Sequence, residues 1–242
     1  MTDKQKRLKE MLCSASRAVF FGGAGVSTES GIPDFRSQDG LYRQKWKYPP
    51  ETILSHDFFI RKTAEFYEFY RQKMIMPSAK PNKAHFALAE LERQGHLSCV
   101  ITQNIDGLHQ AAGSRNVIEL HGSVHRNRCM DCGKRFQGFG CVTETDDIPH
   151  CSCGGVIKPE VVLYGEGLNE EDIENAVTAV ERADLMIIGG TSLTVYPAAA
   201  FVQNYRGPLI LINRDPTPMD EQADLLISDP IGETLGAVVN EM

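Results

Sequence analysis

The chain has 242 residues, 42% of them apolar, and a formal net charge of −7. This length and apolar content are enough to bury one large core, with or without a small insertion, and they exclude a disordered chain. The negative charge argues against a general affinity for nucleic acid, whose binding proteins usually carry basic patches. No apolar run reaches the roughly 18 residues of a membrane span, and the N-terminal "MTDKQKRLKEM" is typical of a charged helix rather than a signal peptide. We therefore expect a cytoplasmic protein that binds neither nucleic acid directly nor a membrane.

Short apolar runs that end in small or polar residues recur along the chain and predict strands buried on both faces. In chain order they are "SRAVFFGGAG", "HLSCVITQN", "RNVIEL", "ADLMIIGGTS" and "GPLILINRD". Helical patterns cover residues 81–95, 169–182 and 197–205. Strands that alternate with helices predict a parallel sheet in an α/β layer architecture.

Two segments interrupt this alternation and predict a smaller lobe inserted into the first. Residues 33–80 are rich in aromatic residues and helix formers, and residues 122–160 are rich in cysteine, glycine and short polar runs. We therefore assign residues 1–32, 81–121 and 161–242 to a large domain. The two insertions form a small domain with a helical module and a cysteine-rich module.

Ligands of α/β folds bind beyond the carboxyl ends of the strands, where this sequence has two glycine-rich loops. In "FFGGAGVSTESG" the glycines at 22, 23 and 25 let backbone N–H groups approach a phosphate closely. The motif departs from G-x-G-x-x-G because Thr28 occupies the third glycine position, so by itself it fits a structural turn equally well. "IIGGTS" repeats the glycines and adds the hydroxyl groups of Thr191 and Ser192.

A third strand end carries Asn213, whose side chain suits a ribose hydroxyl or an adenine edge. Three polar or glycine-rich loops at the ends of three strands predict a dinucleotide site more strongly than any one of them alone.

Paired cysteines form the strongest local motif. Cys129 and Cys132 form C-x-x-C, and Cys151 and Cys153 form C-x-C after 18 further residues. Four thiolates in two close pairs suit tetrahedral zinc and leave no open position for catalysis, so we predict a structural zinc ion in the small lobe. A redox-active pair is the alternative, and Cys141, between the two pairs, is the only local substitute ligand.

Six motifs, in this order along nearly the whole chain, resemble the sirtuins. Such an ordered set is far more specific than a glycine loop. The resemblance implies a Rossmann-type large domain, a small zinc-binding domain, and NAD-dependent removal of acyl groups from protein lysines, as in the compact bacterial members. The motifs are "GAGVSTESGIPDFRS" (23–37), "TQNIDGLHQAAGS" (102–114), "ELHGS" (119–123), the paired cysteines, "VVLYGE" (161–166) and "GGTSLTVYPAA" (189–199).

The chemistry that this resemblance implies consumes NAD. The acyl-lysine carbonyl oxygen attacks the anomeric carbon of the nicotinamide ribose, nicotinamide leaves, and a base then removes a ribose hydroxyl proton. His121 matches the family's base, and an imidazole with a pKa near 6.5 suits that step at neutral pH. Asn104 is the second predicted catalytic residue, which holds the ribose hydroxyl groups or an ordered water.

The resemblance also implies a set of NAD contacts. Ala24, Gly25 and Thr28 would follow the pyrophosphate, and Asp106 would bond the nicotinamide carboxamide. Phe35 would shield the anomeric centre, although an aromatic residue there also fits ordinary packing. The full predicted set is Gly23, Ala24, Gly25, Thr28, Phe35, Arg36, Gln103, Ile105, Asp106, Gly190, Thr191, Ser192, Asn213 and Ile231.

Acetylated lysine peptides of other proteins are the predicted partners. We expect the backbone of Val161, Val162, Leu163 and Tyr164 to be free to pair with an extended peptide, which gives affinity with little sequence preference. An ordinary buried strand is the alternative. Family members that favour succinyl or malonyl groups carry Tyr and, three residues later, Arg, whereas here Tyr67 is followed by a tyrosine at position 70. An uncharged acyl group such as acetyl is therefore predicted.

Two other functions remain open, and a few residues are assigned to ordinary packing. The chain could be a mono-ADP-ribosyltransferase, because a protein side chain can attack the same anomeric carbon, or a non-catalytic NAD-sensing scaffold. Cys13 and Cys99 have apolar neighbours and are predicted core residues. His109 and His125 are predicted to be hydrogen-bonded loop histidines.

Overall fold

The computed structural model of the chain describes residues 1–35, 40–43, 45–196, 198–203 and 205–242. Six strands form its central sheet: β1 (Ala18–Gly22), β2 (Leu97–Thr102), β3 (Val117–Glu119), β7 (Leu185–Gly189), β8 (Leu209–Ile212) and β9 (Leu225–Ile227). All neighbours in this sheet pair in parallel, in the order β3-β2-β1-β7-β8-β9. This is the strand order of a Rossmann fold, so the predicted α/β class is confirmed.

Helices cover both faces of this sheet, as strands with continuous apolar runs require. Along β1 successive side chains point to opposite faces, so Phe20 belongs to one apolar cluster and Phe21 to the other. The Phe20 face packs against α1 (Asp3–Ser14), α5 (Lys83–Arg93) and α10 (Ile231–Val239). The Phe21 face packs against α8 (Glu170–Arg182) and α9 (Ala198–Gln203). The three predicted helices correspond to α5, α8 and α9, whereas β9 and α10 were not predicted.

The start of α5 brings this helix against the loop that follows β1. Asn82 caps the helix by accepting a hydrogen bond from the N–H group of Ala84. The same side chain donates to the carbonyl oxygen of Val26, 2.8 Å away. One asparagine therefore fixes both the start of the helix and the position of the glycine-rich loop.

The second lobe combines a helical module with a small antiparallel sheet. Its helices are α2 (Pro50–Ile53), α3 (His56–Arg61), α4 (Thr63–Lys73) and α7 (Gly140–Thr143). Its strands are β4 (Gly122–Cys129), β5 (Arg135–Gln137) and β6 (Ile157–Val161), in the order β5-β4-β6. The remaining helix, α6 (Leu108–Ala112), follows β2. None of the helices among the described residues is long and apolar enough to cross a membrane.

A single apolar cluster joins the two modules of this lobe. Phe59 and Tyr67 from the helices are fully buried against Val124 of β4. Val161 and Leu163, which the sequence assigned to the large domain, belong to the same cluster. The difference arises because β6 runs across the predicted boundary and pairs with β4 as far as Val161.

Candidate active site

The two glycine-rich loops meet between β1 and β7, where the order of the strands reverses. The N–H group of Gly25 donates to the carbonyl oxygen of Gly190 over 2.8 Å, and that of Gly23 to Gly189 over 3.2 Å. A Cβ atom on Gly25 would lie 2.8 Å from the Cα atom of Gly190, which itself has a φ of +59°. The two backbones can approach this closely only because these residues are glycines. Ligands of open α/β sheets bind in the crevice at such a reversal.

Ser27 lies at the centre of a buried hydrogen-bond network beside this crevice. Its hydroxyl donates to the Asp106 carboxylate over 2.6 Å and accepts from the Asn104 amide over 3.1 Å. The second carboxylate oxygen of Asp106 accepts from the N–H group of Leu108, which begins α6. Ser27 is 1% exposed, so water does not compete for these hydrogen bonds, and they fix the side chains of Asn104 and Asp106.

His85 closes the network from the start of α5. Its Nδ1 atom accepts from the N–H group of Asn82 over 3.2 Å, so Nε2 carries the proton and points at the Ser27 hydroxyl over 3.5 Å. Burial lowers the pKa of His85 to about 4, against the opposing effect of the Asp106 charge. The imidazole is therefore neutral at physiological pH and serves as a hydrogen-bond donor.

His121 lies between β3 and β4, with one ring nitrogen held by backbone. Its Nδ1 atom donates to the carbonyl oxygen of Gln103 over 3.0 Å, because a carbonyl oxygen can only accept. The proton of the neutral ring is thus on Nδ1, and Nε2 carries the lone pair. Burial lowers the pKa of His121, and the hydrogen bond to Gln103 opposes this effect. Gly122 follows with a φ of +75°, and a Cβ atom there would collide with the backbone of Glu160.

Gln103 also connects the end of β2 to the second glycine-rich loop. Its amide donates to the Thr191 hydroxyl over 3.0 Å, and the N–H group of Leu193 donates to the same oxygen over 3.2 Å. Leu193 has a φ of +55°, the only positive value for a non-glycine among the described residues. A buried leucine held in this sparsely populated conformation marks a site where surrounding contacts fix the backbone.

The four paired cysteines come together at the tip of the small sheet. Their sulfur atoms all lie within 4.8 Å of one another, with 3.5 Å between Cys129 and Cys153 and 3.7 Å between Cys132 and Cys151. Four ligands at the usual Zn–S distance are about 3.8 Å apart in a tetrahedron, so the donor set fits zinc. A Cβ atom on Gly155 would lie 2.7 Å from the Cys129 sulfur, so the glycine keeps this space open.

Comparisons with known proteins agree with this geometry. The model of the Sir2 family matches residues 23–197. The chain is 56% identical to an NAD-dependent protein deacetylase of Clostridium acetobutylicum, over 99% of both chains. The chain belongs to the Sir2 (sirtuin) family.

Two solved Sir2 structures also match the whole fold. One holds Sir2 with a p53 peptide and NAD+. It is 38% identical, has a TM-score of 0.88, and the match covers 100% of this chain and 98% of that one. The other holds a Sir2 variant with a deacetylated p53 peptide and 3'-O-acetyl ADP ribose. It is 39% identical, has a TM-score of 0.90, and the match covers 98% of each chain.

The structure describes all but one of the other predicted NAD contacts of this Sir2 chain. Phe35 is half-buried at the second lobe, and the Thr28 hydroxyl donates to the carbonyl oxygen of Gly25. Ile231 begins α10, and its side chain would block a Cβ atom on Gly189. Arg36 lies outside the described residues. Ala24 begins a short 3₁₀ turn, and the carbonyl oxygen of Ile105 accepts from the N–H group of Val124. The hydroxyl groups of Ser192 and Thr194 are hydrogen-bonded to each other. The side-chain amide of Asn213 donates to the carbonyl oxygen of Asp215.

The backbone of residues 161–164 is less free than the sequence predicted. The N–H groups of Val162, Leu163 and Tyr164 donate to the carbonyl oxygen of His121, the Glu166 carboxylate and the carbonyl oxygen of Leu54. The expectation of exposed backbone donors along this segment is therefore wrong. It fails because the segment leaves β6 and is held by the backbone of His121 and Leu54 and by the carboxylate of Glu166.

Four residues assigned to ordinary packing have different outcomes in this Sir2 chain. His125 donates from Nε2 to the carbonyl oxygen of Asp106, and Cys99 is buried, as predicted. His109 is buried, but neither of its ring nitrogens has a partner among the described residues, so the predicted hydrogen-bonded histidine is wrong there. Cys13 is exposed rather than in the core, because α1 turns Leu8 and Leu12 inward instead.

Sequence reasoning missed Ser27 and His85 as members of the site. Ser27 adjoins a glycine motif, but its neighbours drew attention to phosphate binding rather than to a buried hydroxyl. His85 is one of several polar residues in an amphipathic helix. Only the capping asparagine at position 82, which fixes where α5 begins, could have indicated that this histidine faces the loop.

Proposed function

We propose that the protein is an NAD-dependent protein lysine deacetylase. It takes acetylated lysine peptides as substrates and NAD as co-substrate, and it releases nicotinamide, O-acetyl-ADP-ribose and free lysine. The observation that carries the proposal is the convergence of two features at one crevice. His121 presents an unprotonated Nε2 atom, and Ser27, Asn104 and Asp106 form a buried network beside the paired glycine loops. The names of the relatives support the same activity.

In this proposal the glycine loops bind the nucleotide part of NAD. The N–H groups of Gly23 and Gly25 donate to the opposite loop, so these glycines let the two loops approach each other, and the N–H group of Ala24 faces the pyrophosphate. Thr191 and Ser192 donate from the opposite loop. Asp106 orients the nicotinamide carboxamide, and Phe35 excludes water from the anomeric centre. When bound, NAD supplies an electrophilic anomeric carbon. The remaining predicted contacts are Thr28, Arg36, Gln103, Ile105, Gly190, Asn213 and Ile231.

His121 is the proposed general base. Its Nδ1–H bond to Gln103 fixes both the tautomer and the plane of the ring, so the lone pair on Nε2 is the one available to accept a ribose hydroxyl proton. Asn104 holds a ribose hydroxyl or an ordered water at a fixed distance, since Ser27 accepts from its amide. The acetyl-lysine enters beside residues 161–164.

The zinc ion, held by Cys129, Cys132, Cys151 and Cys153, has a structural role in this proposal. Four thiolates complete its coordination, so no position is open for a water molecule or a substrate. The proposed location is the cytoplasm, where the seven unpaired cysteines stay reduced.

Mass spectrometry of an acetylated peptide incubated with the protein and NAD tests the function. We expect loss of the acetyl group from the peptide and formation of acetyl-ADP-ribose. A mass gain of one ADP-ribose unit on protein would instead show a transferase. Binding of NAD with no change in any mass would show a sensor, and either result would overturn the proposal.

Acyl choice provides a second prediction. Tyr67 is fully buried and its hydroxyl donates to the carbonyl oxygen of Ile157, while Tyr70 packs in the same aromatic cluster. The guanidinium group of Arg71 donates to the carbonyl oxygens of Val142, Asp146 and Asp147. It is therefore not available to a distal carboxylate. We expect acetyl-lysine peptide to be turned over with a kcat/KM on the order of ten- to a hundredfold above that of succinyl-lysine peptide, the usual cost of an unpaired charged group.

A butyryl-lysine peptide, similar in length to the succinyl one but uncharged, separates the effects of charge and size. Faster turnover of butyryl than of succinyl peptide is expected. Equal efficiencies with acetyl and succinyl peptides would contradict the prediction. In that case Arg71→Ala shows whether Arg71 is the cation that binds the carboxylate, because only then would this variant lose activity on succinyl peptide selectively.

A further inference from the structure

A pair of tyrosines connects the loop that carries Phe35 to the segment beside which the peptide is proposed to bind. The hydroxyl groups of Tyr42 and Tyr164 are hydrogen-bonded to each other. No motif in the sequence drew attention to Tyr42, which is far from Tyr164 along the chain and in a different module.

Tyr42 is firmly joined to Phe35. The N–H group of Tyr42 donates to the carbonyl oxygen of Phe35 over 2.9 Å, and that of Leu41 donates to Asp34 over 2.8 Å. The rings of Phe35 and Tyr42 meet edge to face, with centroids 5.6 Å apart. Leu41 is 4% exposed and is buried in the apolar cluster of the second lobe. A displacement of the Tyr42 ring therefore also displaces the Phe35 ring that it contacts.

Tyr164 is joined to the peptide segment and to His121. Its N–H group donates to the carbonyl oxygen of Leu54, and its own carbonyl oxygen accepts from the N–H group of His56, both over 2.9 Å. Two residues earlier, the N–H group of Val162 donates to the carbonyl oxygen of His121 over 3.0 Å. The backbone of Tyr164 is thus held by hydrogen bonds, while the residue as a whole is 43% exposed.

We infer that Tyr42 and Tyr164 are positioning residues that couple nucleotide binding to peptide binding. This inference rests on the proposed function. A half-exposed tyrosine loses side-chain freedom when a ligand orders it. If NAD orders Phe35 and Tyr42, the phenol pair also orders Tyr164, and the peptide that binds next to Tyr164 no longer bears that entropic cost. Such coupling is reciprocal, so the peptide tightens nucleotide binding by the same factor.

The test measures the dissociation constant of ADP-ribose by calorimetry, with and without a saturating acetyl-lysine peptide. ADP-ribose has no nicotinamide to release, so the two ligands can be present together without turnover. In the wild type we expect the peptide to tighten ADP-ribose binding. Tyr42→Phe and Tyr164→Phe should each reduce this factor by about two- to tenfold, the range for one hydrogen bond between neutral groups. The double variant should lose no more than either single variant.

Tyr205→Phe is the matched control, since it removes a hydroxyl that donates to the carbonyl oxygen of Ala183 far from the crevice. In Tyr205→Phe the peptide should tighten ADP-ribose binding by the same factor as in the wild type. Tyr42→Phe and Tyr164→Phe should each leave the melting temperature unchanged. In steady-state assays Tyr42→Phe should raise the KM values with kcat nearly preserved. If Tyr42→Phe leaves the peptide's effect on the ADP-ribose dissociation constant unchanged, or if the losses add in the double variant, this inference is overturned and the proposed function still stands. A wild type that binds neither ADP-ribose nor peptide overturns the proposed function, and the inference with it.

Discussion

His121→Ala is expected to lower deacetylation on the order of 10² to 10⁴-fold, the usual effect of losing a general base. The structure gives the reason at the level of single atoms. The Nδ1–H bond to the Gln103 carbonyl oxygen leaves Nε2 as the unprotonated nitrogen. Alanine removes this proton acceptor without disturbing the buried network around Ser27. Single-turnover measurements of acetyl-ADP-ribose formation give the size of the effect.

The same variant should keep its fold and its affinity for the nucleotide. The glycine loops near Gly25 and Gly190 pair through backbone atoms that His121 does not contact. Release of nicotinamide does not itself require the ribose proton to be removed, so nicotinamide exchange should fall less than product formation. His96→Ala is the matched control, because His96 lies just before β2 at the opposite end of the sheet. A folded His121→Ala variant that binds NAD and has near-normal turnover would remove His121 from the mechanism.

The pH dependence of the wild type follows from the direction of the pKa shift. Burial lowers the pKa of His121, and only the neutral imidazole can accept a proton. Turnover should therefore persist as the pH falls through the ordinary histidine range near 6.5, and should be lost only below it. A profile of kcat/KM against pH whose acidic limb lies above pH 6.5 would contradict this assignment.

The large sheet was predictable because its strands carry their own signal. Strands covered on both faces must be apolar throughout, so β1, β7 and β8 appear as continuous hydrophobic runs in the sequence. The small sheet gives no such signal. β5 is Arg-Phe-Gln, and β4 reads "GSVHRNRC", because one side of this sheet faces water and its strands pair around the cysteine cluster instead of a wide apolar core.

The candidate site was predictable only where its residues are neighbours in the chain. Gln103, Asn104 and Asp106 follow one strand, and the glycines follow two others, so each group lies in one continuous motif that the resemblance to the sirtuins could select. The contact between Ser27 and His85 joins residues 58 positions apart, and it exists because α5 is capped against the loop after β1. The hydrogen bonds that hold residues 161–164 likewise join them to Leu54 and His121, which no local sequence pattern specifies.

Serine at any one of the four paired cysteines is expected to lower bound zinc and to destabilise the second lobe. Metal-binding free energy is folding free energy where the ligands are not assembled in the unfolded chain. Cys129 ends β4 and Cys151 follows the short segment that leads back towards β6, so the metal holds together strands that share little apolar surface. We expect the melting temperature to fall by about 10 °C, since loss of a structural metal is among the largest single-residue effects. Zinc content from elemental mass spectrometry and thermal melting are measured on the same samples.

Cys141→Ser is the matched control for this zinc prediction. Cys141 is half-buried and packs against the cluster formed by Cys129, Cys151 and Ile157, so the same chemical change is made within the same lobe. Burial raises the pKa of the Cys141 thiol, which disfavours the thiolate that zinc requires. This variant should therefore retain one zinc ion per chain and lose little stability. Full zinc retention in all four single serine variants at positions 129, 132, 151 and 153, or zinc loss in Cys141→Ser instead, would show that the ligand set is assigned wrongly.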